Sequence, residues 1–187
     1  MKDLSLHILD LSQNSISAGA GLVKITVNED IKKDTLTISI EDDGKGIQKD
    51  LLKNIMDPFV TTRTSRKVGL GIPLMQAACR RCEGDLAIES EENVGTKLTA
   101  TFRHGHIDRA PMGDMAETML TLILAGSDSD RSVDFVYKHI LNSEEFCLDT
   151  REIRTALGSE INLGRPDVLM WIKGYINEGL KNLRGGM

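Results

Sequence analysis

Stretches that alternate apolar with polar side chains, set among stretches of helical spacing, predict an α+β protein. Three observations carry this. Val23, Ile25 and Val27 alternate with Lys24, Thr26 and Asn28, and Leu36, Ile38 and Ile40 repeat the pattern, the period of half-buried strands. Leu86 and Ile88, then Leu98, Ala100 and Phe102, do the same about a turn at Glu91–Gly95. Ahead of both hairpins, Leu4, Leu6, Ile8, Leu9, Leu11 and Ile16 have the spacing of a core-facing helix.

That first helix is expected to stop at Ala18-Gly19-Ala20-Gly21, where glycine suits a C-terminal cap. Asp10 and Asn14 are four apart and share one face, with Gln13 and Ser17 beside them. A carboxylate and an amide so stacked can hold a hydrated Mg²⁺ and orient a water, and they equally suit a solvated polar face. The second strand runs into Glu41-Asp42-Asp43-Gly44-Lys45-Gly46-Ile47, which reads as turn chemistry or as an acidic ligand site. Leu51, Leu52, Ile55 and Met56 predict a short helix broken at Asp57-Pro58. The cationic stretch Thr61 to Lys67 then leads into Gly69-Leu70-Gly71 and an apolar helix ending at Gly84. Glycines there let backbone N–H groups approach an anion, and the helix start adds a positive dipole end. Cys79 and Cys82 form a lone C-x-x-C and are read as structural, since no second cysteine pair accompanies them.

Length and composition bound the rest. With 187 residues, 40% of them hydrophobic, the chain can bury a core without metal or disulfides. A net charge of -5 disfavours a nucleic-acid-binding surface, and no apolar run reaches the ~18 residues of a membrane span. Three cysteines fit a reducing compartment, and a cytoplasmic protein is expected.

The motifs, taken in order, resemble the GHKL superfamily of ATP-binding domains (gyrase, Hsp90, histidine kinases, mismatch-repair ATPases). Leu9-Asp-Leu-Ser-Gln-Asn-Ser-Ile-Ser-Ala-Gly-Ala20 is similar to the first box, E-x-x-x-N, with the A-G-A of the mismatch-repair branch. Asp43-Gly-Lys-Gly46 is read as the D-x-G-x-G adenine box, and Asp57-Pro-Phe-Val-Thr-Thr-Arg63 resembles the E-P-F-x-T-T-K segment of histidine kinases. Gly69-Leu-Gly71 matches the second glycine box and Gly95-Thr96 the closing G-T. The resemblance implies a Bergerat two-layer α/β sandwich over residues 1–104, with ATP and Mg²⁺ as cofactors. It implies that Asn14 coordinates Mg²⁺ and that Asp43 accepts from the adenine amino group, supported by Thr96. Gly46 would let the base lie against the backbone. Gly69, Leu70 and Gly71 would donate to phosphate oxygens, and Arg63, Arg66 or Lys67 would reach the γ-phosphate. Asp10 stands where relatives carry a glutamate general base, and is one methylene shorter.

Residues 105–187 are expected to be a small α+β cap or docking module, with a protein partner docking there or on the lid. An Asp114–Glu117 capping box opens a helix to about Ala125, Val133, Phe135 and Tyr137 form a strand, Glu145 to Leu148 pair with it, Asp149–Glu152 opens another helix, and Pro166 starts the last. His104-Gly-His106 is read as linker. The last helix can equally pack internally or make a homodimer. A sensor kinase needs a helical hairpin bearing a phosphoacceptor histidine, and with six residues before His7 self-phosphorylation in that manner is not expected. The implied function is an ATPase or a kinase acting on a separate protein. The alternative is a non-hydrolysing nucleotide switch. A mismatch-repair role is disfavoured by the acidic charge and the lack of a basic DNA surface.

Overall fold

The computed structural model describes residues 2–53, 55, 70–127, 132–158 and 161–185. Helix α1 (Leu4–Ser17) turns Leu4, Ile8 and Leu11 inward and hands over to Gly19, whose φ of 74° supplies the left-handed cap. Strands β1 (Leu22–Asp30) and β2 (Thr35–Asp42) form the first hairpin, with Val23 opposite Asp42. A short α2 (Lys49–Leu52) follows, and the Asp57-Pro58 break and the lid beyond it lie outside the described residues. Helix α3 (Gly71–Arg81) leads to the second hairpin, β3 (Leu86–Glu91) and β4 (Gly95–Arg103).

Helix α4 (Met115–Ser127), β5 (Asp134–Leu141), β6 (Glu144–Asp149), α5 (Thr150–Leu157) and α6 (Pro166–Gly185) complete the chain. Half of the expected capping box forms: Asp114 Oδ1 accepts from the Glu117 N–H at 2.9 Å, while the Glu117 carboxylate turns away to Lys173 of α6. Asp149 caps α5, accepting from the Arg151 N–H at 2.9 Å.

All six strands lie in one mixed sheet of order β3-β4-β2-β1-β5-β6. Every pairing is antiparallel except β1 with β5, which run parallel with Val23 beside Phe135 and Val27 beside His139. The period-two pattern sends Val23, Ile25, Val27, Leu36, Ile38, Phe135 and Tyr137 to one face, where α1, α3, α4 and α6 cover them. Polar residues such as Lys24, Glu41 and Lys97 keep the other face wet. The fold is thus the α+β sandwich expected. The expected boundary at residue 104 falls within one sheet and one hydrophobic core, because β5 adds directly to β1 and α4 packs on α1.

A buried polar knot ties this seam. Glu29 at the end of β1 accepts from His139 Nε2 of β5 at 2.7 Å and from His104 Nε2 at 2.9 Å. The Tyr137 hydroxyl bonds His139 Nδ1 at 2.7 Å. These hydrogen bonds, His139's first, hold the Glu29 carboxyl down to about 2. The two histidines of His104-Gly-His106 thus serve different partners, since His106 Nδ1 accepts from the Asp108 N–H at 3.1 Å.

Candidate functional site

Asp10 and Asn14 project from the side of α1 that meets α3. The start of α3 comes down on Asp10: a Cβ at Gly71 would run into Asp10 Oδ2 and sit 3.6 Å from Leu11 Cδ2. Glycine therefore lets the first turn of α3 approach α1 this closely with the Asp10 carboxylate in its present position. Among the described residues no side chain caps that turn, Leu70 included, so its positive end faces the Asp10 carboxylate. Asp10 and Gly71 are thereby brought together, with Asn14 one turn further along α1 and Leu70 adjoining Gly71. Arg63, Arg66, Lys67 and Gly69 lie outside the described residues.

In the acidic turn after β2 the two adjacent carboxylates have different partners. Asp43 Oδ1 accepts from the backbone N–H groups of Gly21 and Leu22 at 2.7 and 2.8 Å, so this exposed carboxylate staples the start of β1. Asp42, one residue earlier, shares the parity of Leu36, Ile38 and Ile40 and therefore points to the helix face. Its Oδ2 accepts from Ser15 Oγ of α1 at 2.5 Å, and its Oδ1 accepts from the Gly44 N–H at 3.0 Å.

Asp42 heads a polar row. Thr96 lies directly opposite it on β4, and Thr96 Oγ1 is 3.0 Å from Ser90 Oγ on β3. Ser90 Oγ in turn donates to the Gly95 carbonyl and accepts from the Ile47 N–H, each at 2.9 Å. Asp42, Ser15 and Ser90 were not singled out from sequence. The signal for Asp42 was present: counting in twos from Ile40 turns it inward and Asp43 outward, and D-x-G-x-G counted back from Gly46 begins at Asp42. The close approach that Gly46 permits is to the turn backbone, since a Cβ there, at φ 65°, would fall on the Glu91 carbonyl.

Other reactive groups are quiescent. Burial pushes the Cys79 thiol up to about 12 and raises that of Cys82, so neither is a thiolate at neutral pH. Among the described residues no cluster of three histidine, cysteine or acidic side chains could hold a metal, and no helix is long and apolar enough to cross a membrane.

Residues 2–106 match the family described as histidine kinase-, DNA gyrase B- and HSP90-like ATPase, and the chain belongs to it. Sporulation kinase E of Bacillus subtilis (strain 168) is 31% identical over 102 residues, 54% of this chain and 13% of that protein. Signal transduction histidine-protein kinase AtoS of Escherichia coli (strain K12) is 36% identical over 99 residues, 53% of this chain and 16% of that protein. The chain therefore spans less than a fifth of the length of these curated relatives. Among solved structures, the N-terminal domain of a DNA repair protein superposes with a TM-score of 0.51 over 80% of this chain and 53% of that one. At 15% identity that likeness concerns the fold alone. Family membership makes residues 2–106 an ATP-binding domain of the histidine-kinase-like type.

Proposed function

We propose that the protein binds Mg-ATP between α1 and α3 and hydrolyses it or transfers its γ-phosphate to a separate protein. The observation that carries this is the start of α3, uncapped among the described residues and held against Asp10, with Asn14 one turn further along. A helix start with free N–H groups favours phosphate, and Asp10 is within reach of whatever is bound there. The donors offered by Asp10 and Asn14 are oxygen only, which suits Mg²⁺ carried in with the phosphates. In this reading Asn14 holds the metal, Leu70 and Gly71 donate to phosphate oxygens with Gly69, and Arg63 or Lys67 reaches the γ-phosphate. Asp10 acts as general base on the attacking water or hydroxyl.

For the base we assign Asp42, with Thr96, rather than Asp43. Asp42 faces the helix side and already anchors a polar row, whereas Asp43 is committed to two backbone amides. The protein partner would dock on residues 105–187, where Met170 and Trp171 of α6 are 77% and 55% exposed, or on the lid.

A second reading is a switch that binds ATP without cleaving it. It is favoured by the position of Asp10, whose short side chain lies against the backbone of α3. Incubation with Mg²⁺ and γ-labelled ATP separates the two. Label recovered as free phosphate or on added cell protein supports the enzyme, and Asp10→Asn then abolishes turnover while sparing binding. Intact bound ATP supports the switch, and turnover retained in Asp10→Asn removes Asp10 as the base.

A further inference from the structure

A second cavity, of about 400 Å³, opens far from the α1–α3 cleft, between the start of α4 and the last turns of α6. It lies toward the other end of β1 from Asp42: Asp42 pairs with Val23, whereas His139, in the cavity wall, is the partner of Val27. Asn177, Lys181 and Arg184, at i, i+4 and i+7, place an amide and two cations along one strip of α6 facing it. Neither Lys181 nor Arg184 has a hydrogen-bond or ion-pair partner among the described residues.

Among the described residues these two cations stand unpaired around one cavity, whereas Lys173 of the same helix pairs with Glu117 and Arg154 pairs with Asp134. Arg184, exposed on the last turns of α6, still lies near enough to the buried Tyr137 phenol for its charge to act on it. The one carboxylate of the cavity, Asp114, already caps α4. The first turn of α4 adds its positive dipole end to the field of the cations. Leu180 and Met112 supply an apolar wall.

From this cavity and its unpaired cations we propose a second ligand site that takes a small phosphate-bearing organic molecule, distinct from the nucleotide site. Arg184 would grip phosphate oxygens in its two-pronged fashion, Lys181 would neutralise the second charge, and Asn177 would donate a further hydrogen bond. Apolar contact with Leu180 and Met112 would hold the body of the ligand. A cavity of this volume is within the range that holds small organic ligands.

The test titrates inorganic phosphate into the full chain at constant ionic strength, following backbone amides by NMR. Sodium acetate serves as the comparison anion. The expected result is saturable shifts at residues 113–118 and 177–184, with weaker response to acetate. The Lys181→Ala/Arg184→Ala variant, altered only at exposed positions, should keep the wild-type spectrum and bind phosphate at least about tenfold more weakly, the loss of one charge-assisted contact. Shifts that do not saturate, that persist in the double variant, that are matched by acetate, or that fall only at residues 70–74 would overturn the proposal. Because residues 70–74 report the nucleotide site separately, failure of either site is distinguishable from failure of the other.

Discussion

Asp42 and Asp43 are adjacent carboxylates with opposite duties, and the difference is one of parity. Asp43 satisfies the first two N–H groups of β1 from the exposed side. Replacing it with alanine should cost about 1–2 kcal/mol, the loss of hydrogen bonds to a charged acceptor discounted for exposure, and should lower the urea midpoint without a matching loss of nucleotide affinity. Gly71 is constrained differently. Gly71→Ala would put a methyl group on the Asp10 carboxylate, so either α3 shifts outward or Asp10 changes rotamer. We expect at least about a tenfold loss of ATP affinity, equivalent to one phosphate hydrogen bond, while the far-ultraviolet spectrum stays unchanged. Wild-type affinity in Gly71→Ala would mean that the start of α3 does not hold phosphate.

Among the elements, the two hairpins and α1 were legible because their faces are unambiguous over most of their length: Val23, Ile25 and Val27 of β1 and Leu36, Ile38 and Ile40 of β2 are apolar and the residues between them polar. Period alone reports a face and not a neighbour, which is why the parallel placement of β5 against β1 could not be read from Val133, Phe135 and Tyr137. The ends of elements were legible where a side chain caps them. Asp149 is such a cap, and Asp149→Ala should cost about 1 kcal/mol, seen as a lower denaturation midpoint with an unchanged slope. The Asp114–Glu117 box formed only in part, because Glu117 found Lys173 on a helix distant in sequence. The choice between Asp42 and Asp43 that we propose turns on a related point. Two acidic residues at a strand end look alike in composition, and the inward apolar run from Leu36 to Ile40 was the information that separates them.

At the scale of the molecule, β5 and α4 complete a core that the ATPase-family segment begins. Without residues beyond 106, β1 becomes an edge strand and the α4 side of α1 loses its cover. A 1–106 fragment is therefore expected to unfold or aggregate under conditions where the full chain is monodisperse, as size-exclusion chromatography would show. The Glu29–His104–His139 knot makes the same seam sensitive to acid. The Glu29 carboxyl is depressed from its ordinary value of 4.5 to about 2, so its contribution is fully present above pH 4.5 and is lost as pH falls towards 2. Glu29→Gln should lose on the order of 2 kcal/mol at pH 7 and flatten the fall of stability with pH over that window. An acid limb identical to wild type would show that the knot does not bind the seam.

The most direct test of the nucleotide site is calorimetric titration of Mg-ATP into the wild type, Asp42→Asn and Asp43→Asn. One site per chain is expected, with affinity lost by at least about tenfold in Asp42→Asn and nearly retained in Asp43→Asn. Full affinity in Asp42→Asn with loss in Asp43→Asn would contradict the assignment of Asp42.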